Sequence, residues 1–97
     1  MKIIQVIPTY NEAQNLPVLV AALFALNIPD FHVLIVDDNS PDGTGDIAEG
    51  LRKEYGGKVQ VLHRQCKEGL GKAYIQGLRT ALEQGADVIL SLIHISE

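Results

Sequence analysis

The sequence contains one cysteine, Cys66, no tryptophan and only 5% aromatic residues. A single thiol forms no internal disulfide, no Cys-x-x-Cys redox pair and no cysteine zinc cluster, which suits a reducing compartment. Long apolar runs are missing too. No stretch approaches the roughly 18 to 20 apolar residues needed to cross a bilayer, and the N-terminal MKIIQVIPTYNE meets Pro8 too early to be a signal-peptide core. Basic runs are also absent. Eight Lys and Arg are scattered against twelve Asp and Glu, a formal charge of -4, which argues against nucleic acid as a partner. What is left is a 97-residue chain, 46% hydrophobic and 21% charged, sufficient for one small domain and too short for a second core.

Short continuous apolar runs alternate with amphipathic segments. That βαβαβαβ order predicts an α/β fold, a mostly parallel sheet with helices on its faces. Strands are expected at about Ile3 to Ile7, Phe31 to Asp37, Lys58 to His63 and Asp87 to Ile93. A first helix is expected from Asn11, with Gln14 completing a capping box and Leu16, Leu19, Val20, Leu23 and Phe24 turned inward. A second starts around Thr44 with Ile47, Ala48, Leu51 and Tyr55 inward; Gly50 costs it about 1 kcal/mol relative to alanine. A third spans Leu70 to Gln84 with Leu70, Tyr74, Leu78, Ala81 and Leu82 inward, and Gly85 stops it. The series ends on a strand whose crossover has no covering helix, so the chain is expected to be part of a larger fold.

Ligands of open α/β sheets bind at the carboxyl ends of the strands. Three polar segments fall there: PTYNE, DDNSPDGTGD and RQCKEGLGK. Asp37 and Asp38 close the apolar run FHVLIV, where paired carboxylates are costly to keep ionised without a cation or donor nearby. They read as a nucleotide site aided by a divalent metal, or Asp38, Asn39 and Ser40 read as turn residues before Pro41. Gly69 to Lys72, GLGK, reads as an anion-holding helix start or as a plain turn with a surface lysine. It is not a Walker A loop, because Cys66 stands where that motif needs glycine and no Ser or Thr follows Lys72. PTYNE has no glycine, which excludes a dinucleotide fingerprint. Tyr10 and Glu12 suit a ribose or base, while Glu12 equally suits a helix N-terminus. His63, Arg64 and Lys67 bring positive charge to the same edge; His94 has no partner in a metal spacing.

The segments VIPTYNEAQNL, VLIVDDNSPDGTGDIAE and VLHRQCKEGLGKAYIQGLRTALEQGAD together resemble the N-terminal part of the inverting family 2 glycosyltransferases, closest to the dolichyl- or polyprenyl-phosphate mannosyltransferases. The resemblance covers Ile3 to about Ile89. It implies a GT-A fold whose first half binds a nucleotide sugar, with Pro8, Tyr10 and Glu12 around the nucleoside and Asp37 on the base side. It also implies Asp38 near the nucleotide and Gly69, Gly71 and Lys72 by the phosphates. The implied donor is GDP-mannose or a similar nucleotide sugar, the acceptor a polyprenyl phosphate, and the cofactor Mg2+ or Mn2+. The implied setting is the cytoplasm or the cytoplasmic face of a membrane, with peripheral contact.

The departure lies at the end. The family has an Asp-x-Asp metal motif directly after the fourth strand, whereas this chain continues SLIHISE, without aspartate. Residues 91–97 are therefore expected to be atypical, no catalytic residue is assigned, and the chain alone is expected to be inactive. Two other readings stand beside this one. A related family 2 enzyme would use UDP-glucose or another UDP-sugar, and a flavodoxin-like regulatory domain would use the strand-end acids without catalysis.

Overall fold

The computed structural model describes residues 1–9, 13–38, 41–65 and 69–91. Four strands, β1 (Ile3–Thr9), β2 (Phe31–Asp37), β3 (Val59–His63) and β4 (Val88–Ser91), alternate with three helices, α1 (Leu16–Phe24), α2 (Thr44–Tyr55) and α3 (Leu70–Glu83). The strands form a parallel sheet in the order β3-β2-β1-β4. Register aligns Thr9 with Asp37 and Asp37 with His63, so β1, β2 and β3 end level on one edge. Lys2 links the two ends of the described chain: its N–H donates to Asp87 Oδ2 at 2.8 Å and its Nζ to the Gln84 carbonyl at 2.9 Å.

Continuous apolar strands are covered on both faces. On one, Val33, Ile35 and Val59 meet Leu16 and Val20 of α1 and Ala48 and Leu51 of α2. Phe24 packs edge-on to Phe31 and stacks on Tyr55 at the margin of this core. On the other face, Ile4, Val6, Leu34 and Val36 meet Ala73 and Ala81 of α3. Full burial of each large aliphatic side chain stabilises the fold by about 1.5–3 kcal/mol before chain entropy is counted. The closest approach is at Gly77, where a Cβ would lie 2.6 Å from Val6 Cγ1 and 2.9 Å from Val36 Cγ2.

Several expectations shift. The first helix begins at Leu16, not Asn11: Ala13 to Asn15 form a turn, exposed Gln14 completes no capping box within the described residues, and Pro17 sits in the first helical turn. Proline lacks the N–H that a helix interior needs, so it belongs in the first turn, and α1 starts one residue before it. Asn11 itself lies outside the described residues. Leu82 does not face inward; it is 64% exposed, because the small residues Ala73, Gly77 and Ala81 take the sheet side and carry Leu82 round to solvent. The side chain of Leu70 lies outside the described part. β1 continues two residues past Ile7 to Thr9, which places Pro8 within it. There β1 has a described partner on one side only, since β4 pairs with Ile3 to Val6, and a missing N–H is tolerated at such a position. The expected continuation of β4 to Ile93 and the tail at 92–97 fall outside the described residues. Among the described residues no helix is long and apolar enough to cross a membrane.

Candidate functional site

β2 ends in two buried carboxylates. Successive side chains of a strand point to opposite faces, and Asp37 and Asp38 accordingly engage different partners. Asp37 Oδ1 accepts the Thr9 hydroxyl at 3.2 Å. Its Oδ2 lies beside Gly45, where a Cβ would come within 3.2 Å of that oxygen and 3.4 Å of the His63 ring. The first turn of α2 therefore reaches the end of β2 because residue 45 has no side chain. Backbone bonds fix the junction: Asp38 N–H donates to the Thr9 carbonyl and Arg64 N–H to the Asp37 carbonyl, both at 2.9 Å.

Asp38 is fully buried and Arg64 nearly so. Arg64 Nε stands 3.0 Å from Asp38 Oδ1, close enough for an ion pair but without the angle of a hydrogen bond. The other carboxylate oxygen accepts Gly69 N–H at 3.2 Å. Asp38 thus pins a cation that follows β3 and the residue that opens α3. The cost of burying FHVLIV-DD is met by this arrangement.

Around this centre, Asp42 accepts the N–H of Ala13 at 3.2 Å and that of Thr44 at 3.1 Å, and also the Thr44 hydroxyl. It joins the turn before α1 to the start of α2. The Thr44 hydroxyl bond holds the Asp42 carboxyl below its ordinary value. On the other side, His63 Nε2 and Glu49 Oε2 are 2.5 Å apart, and the bond to His63 lowers the Glu49 pKa. An ionised carboxylate only accepts, so His63 carries its proton on Nε2. A lowered carboxylate pKa contributes stability that is complete above the ordinary value, 4.5 for Glu49, and is lost as pH falls through the lower native value. Glu49→Gln is expected to be slightly less stable than the parent near neutral pH, with the difference closing in acid. Urea midpoints measured for both proteins across the acid range check this; a difference that does not vary with pH would contradict it.

Of the residues singled out from sequence, Pro8, Asp37, Asp38 and Gly69 gather at the shared edge. Tyr10 and Glu12 lie outside the described residues, as do Cys66 and Lys67. Gly71 and Lys72 are exposed in the first turn of α3. Lys72 lines a cleft of about 330 Å³ with Arg64, Ile75, Gln76 and Arg79. Among the described residues no group of three or more His, Cys, Asp or Glu could hold a metal ion, and none is assigned as a metal ligand from sequence. Sequence reasoning missed Thr9 and Gly45 as contacts of Asp37. It named Arg64 only as one of several nearby charges, although the demand of a buried acid pair for a cation was visible.

Comparison with known proteins extends this picture. The chain is 48% identical over 92 residues to the undecaprenyl-phosphate mannosyltransferase of Micrococcus luteus, covering 95% of this chain and 37% of that protein. It is 44% identical over 87 residues to the polyprenol monophosphomannose synthase of Mycolicibacterium smegmatis, covering 90% and 32%. The chain thus spans about a third of the length of these curated relatives. Its fold superposes on S. aureus TarS in complex with UDP with a TM-score of 0.80 at 28% identity, covering 95% of this chain and 27% of that one. It also superposes on the mannosyltransferase PcManGT of Pyrobaculum calidifontis, solved with GDP-Man and Mn2+, with a TM-score of 0.76 at 23% identity, covering 82% and 24%. The α/β sheet is that of the N-terminal part of a GT-A domain. The model of glycosyl transferase family 2 matches residues 5–92, and the chain belongs to that family.

Proposed function

We propose that this chain is the donor-binding part of an inverting enzyme that transfers mannose from GDP-mannose to a polyprenyl or dolichyl monophosphate. The observation that carries the reading is the level edge at which the buried pair Asp37 and Asp38 meets Gly69 at the start of α3, in a chain similar to two polyprenyl-phosphate mannose enzymes. In this reading Pro8, Tyr10 and Glu12 surround the nucleoside and Asp37 serves the base side. Asp38 lies near the nucleotide and, by accepting the Gly69 N–H, sets the segment in which Gly69, Gly71 and Lys72 lie by the diphosphate, with the Gly71 amide and the Lys72 ammonium free to receive it.

The reaction is a single displacement. An acceptor phosphate oxygen bonds to the anomeric carbon from the face opposite the diphosphate, the bond from that carbon to the diphosphate oxygen breaks, and GDP departs. A phosphate acceptor is already anionic near neutral pH, so a general base is less necessary than for a hydroxyl. The contribution of this chain is alignment of the donor. A divalent cation accompanies the donor in the Pyrobaculum structure; among the described residues no group of three or more His, Cys, Asp or Glu gathers to cage one, and no ligand is assigned to it. The cytoplasmic face of a membrane, where a polyprenyl phosphate presents its headgroup, is the setting that fits these substrates.

Calorimetric titration of the chain with GDP, UDP and ADP, each with and without magnesium, tests the reading. Magnesium-sensitive preference for GDP is expected. Preference for UDP would favour a UDP-sugar enzyme, the reading to which the UDP complex of TarS lends weight. No binding by a chain shown to be folded by circular dichroism would overturn both.

A further inference from the structure

α3 packs over β1 and β2 and leaves the flank towards β3 less covered. The cleft lined by Arg64, Lys72, Ile75, Gln76 and Arg79 opens on that flank. The four α3 residues recur at three- and four-residue spacing, so they form one stripe about 10 Å long, away from Ala73 and Ala81 on the sheet side. The chain is acidic overall, yet three of its eight Lys and Arg line this one cleft, and no carboxylate is among its described lining residues. Asp38 balances Arg64 from below and fixes it. Lys72 and Arg79 stand exposed on either side of the Gln76 carboxamide, and Ile75, 53% exposed, supplies an apolar wall. Like charges gathered on one stripe repel each other until an anion sits between them.

We propose that this cleft is a second anion-binding site that takes a phosphomonoester. Lys72 and Arg79 clamp the phosphate, the Gln76 amide donates to it, Arg64 closes the end nearest the strands, and Ile75 packs against the organic part of the ester. Guanidinium groups suit phosphate because their planar fork matches two of its oxygens. The site goes beyond the donor reading: Ile75, Gln76 and Arg79 have no part in that reading, Lys72 stands between the two sites, and from Arg64 the cleft runs down the side of α3. The same chemistry is offered by a soluble phosphomonoester and by a phosphomonoester lipid headgroup.

The test titrates the isotopically labelled chain with glycerol 3-phosphate and, separately, with phosphatidylcholine vesicles with and without phosphatidic acid. Magnetic resonance shifts are followed at the Gln76 side-chain amide and the Arg79 Nε–H. Salt-sensitive shifts there with glycerol 3-phosphate are expected. Arg79→Gln is expected to weaken binding about threefold and Arg79→Glu about tenfold, with the thermal midpoint unchanged because residue 79 is exposed. Binding to vesicles that requires phosphatidic acid and is weakened by Arg79→Glu, without shifts from the soluble ester, would identify the lipid headgroup as the source of the phosphate. Absence of any response at Gln76 and Arg79 to both probes overturns the proposal, as do shifts confined to Gly69 and Gly71. GDP titrated in parallel separates the two readings: GDP shifts at the strand ends with no response at Gln76 and Arg79 to either phosphomonoester would sink the cleft and leave the donor site standing, whereas phosphomonoester shifts at Gln76 and Arg79 without any response to GDP would leave the cleft and sink the donor site.

Discussion

Asp38→Ala is expected to lose about 3–5 kcal/mol of stability, the usual result of stripping one partner from a buried ion pair. The substitution removes the carboxylate that stands 3.0 Å from the buried Arg64 guanidinium and frees the Gly69 N–H that Asp38 accepts. A domain of this size holds only about 5–15 kcal/mol in total, so the variant should sit near its unfolding threshold at ambient temperature. Chemical denaturation followed by circular dichroism reads the effect. Two comparisons identify the cause. Asp38→Asn keeps an acceptor for Gly69 and should lose less. The double variant Asp38→Leu with Arg64→Met removes both charges together and should recover most of the loss, since an apolar pair often replaces a buried ion pair at little cost. A double variant as unstable as Asp38→Ala would show that the ion pair is not what Asp38 contributes.

Gly77→Ala and Gly50→Ala should move stability in opposite directions, although both replace a helical glycine by the best helix former. At Gly50 nothing lies within 4 Å of the new methyl, so the helix gains about 1 kcal/mol. At Gly77 the methyl meets Val6 and Val36 at 2.6 and 2.9 Å, against the roughly 3.5–4.0 Å that carbon atoms prefer. Both valines are fully buried and stiff at χ1, so α3 itself must back away from the sheet. Overpacking of this kind costs about 3 kcal/mol, which outweighs the propensity gain and leaves a net loss of about 2 kcal/mol. In a chain of this length that corresponds to a fall in Tm of roughly 10 °C. Equal midpoints for the two alanine variants would show that α3 adjusts without strain.

These cases also mark where the sequence was readable. The strand spans were legible because a parallel sheet buried on both faces needs unbroken apolar runs, and FHVLIVD is bounded by Asp30 and the second aspartate almost residue for residue. The inward face of α3 was misread at Leu82 because apolar size was taken as the guide, whereas the geometry chose Ala73, Gly77 and Ala81 for their smallness. The start of α1 differs from the expectation because the capping spacing pointed to Asn11, while Pro17, which lacks an N–H, belongs in the first helical turn. The acid pair was legible as a cost needing compensation, but its compensators were not: Thr9 and Arg64 are remote from Asp37 and Asp38 in sequence and meet them only through strand register. No local period encodes such a meeting.

The strand order carries a consequence for synthesis. β1 is made first, yet one of its two neighbours, β4, is the last of the four strands to be translated, and the bonds of Lys2 to Gln84 and Asp87 close the same gap. Ribosomes add about 5–20 residues per second, so for several seconds the nascent chain holds β1 with one edge waiting. Pairings this distant along the chain are slow to form. During that interval the open edge of β1 is a surface for a chaperone to cover.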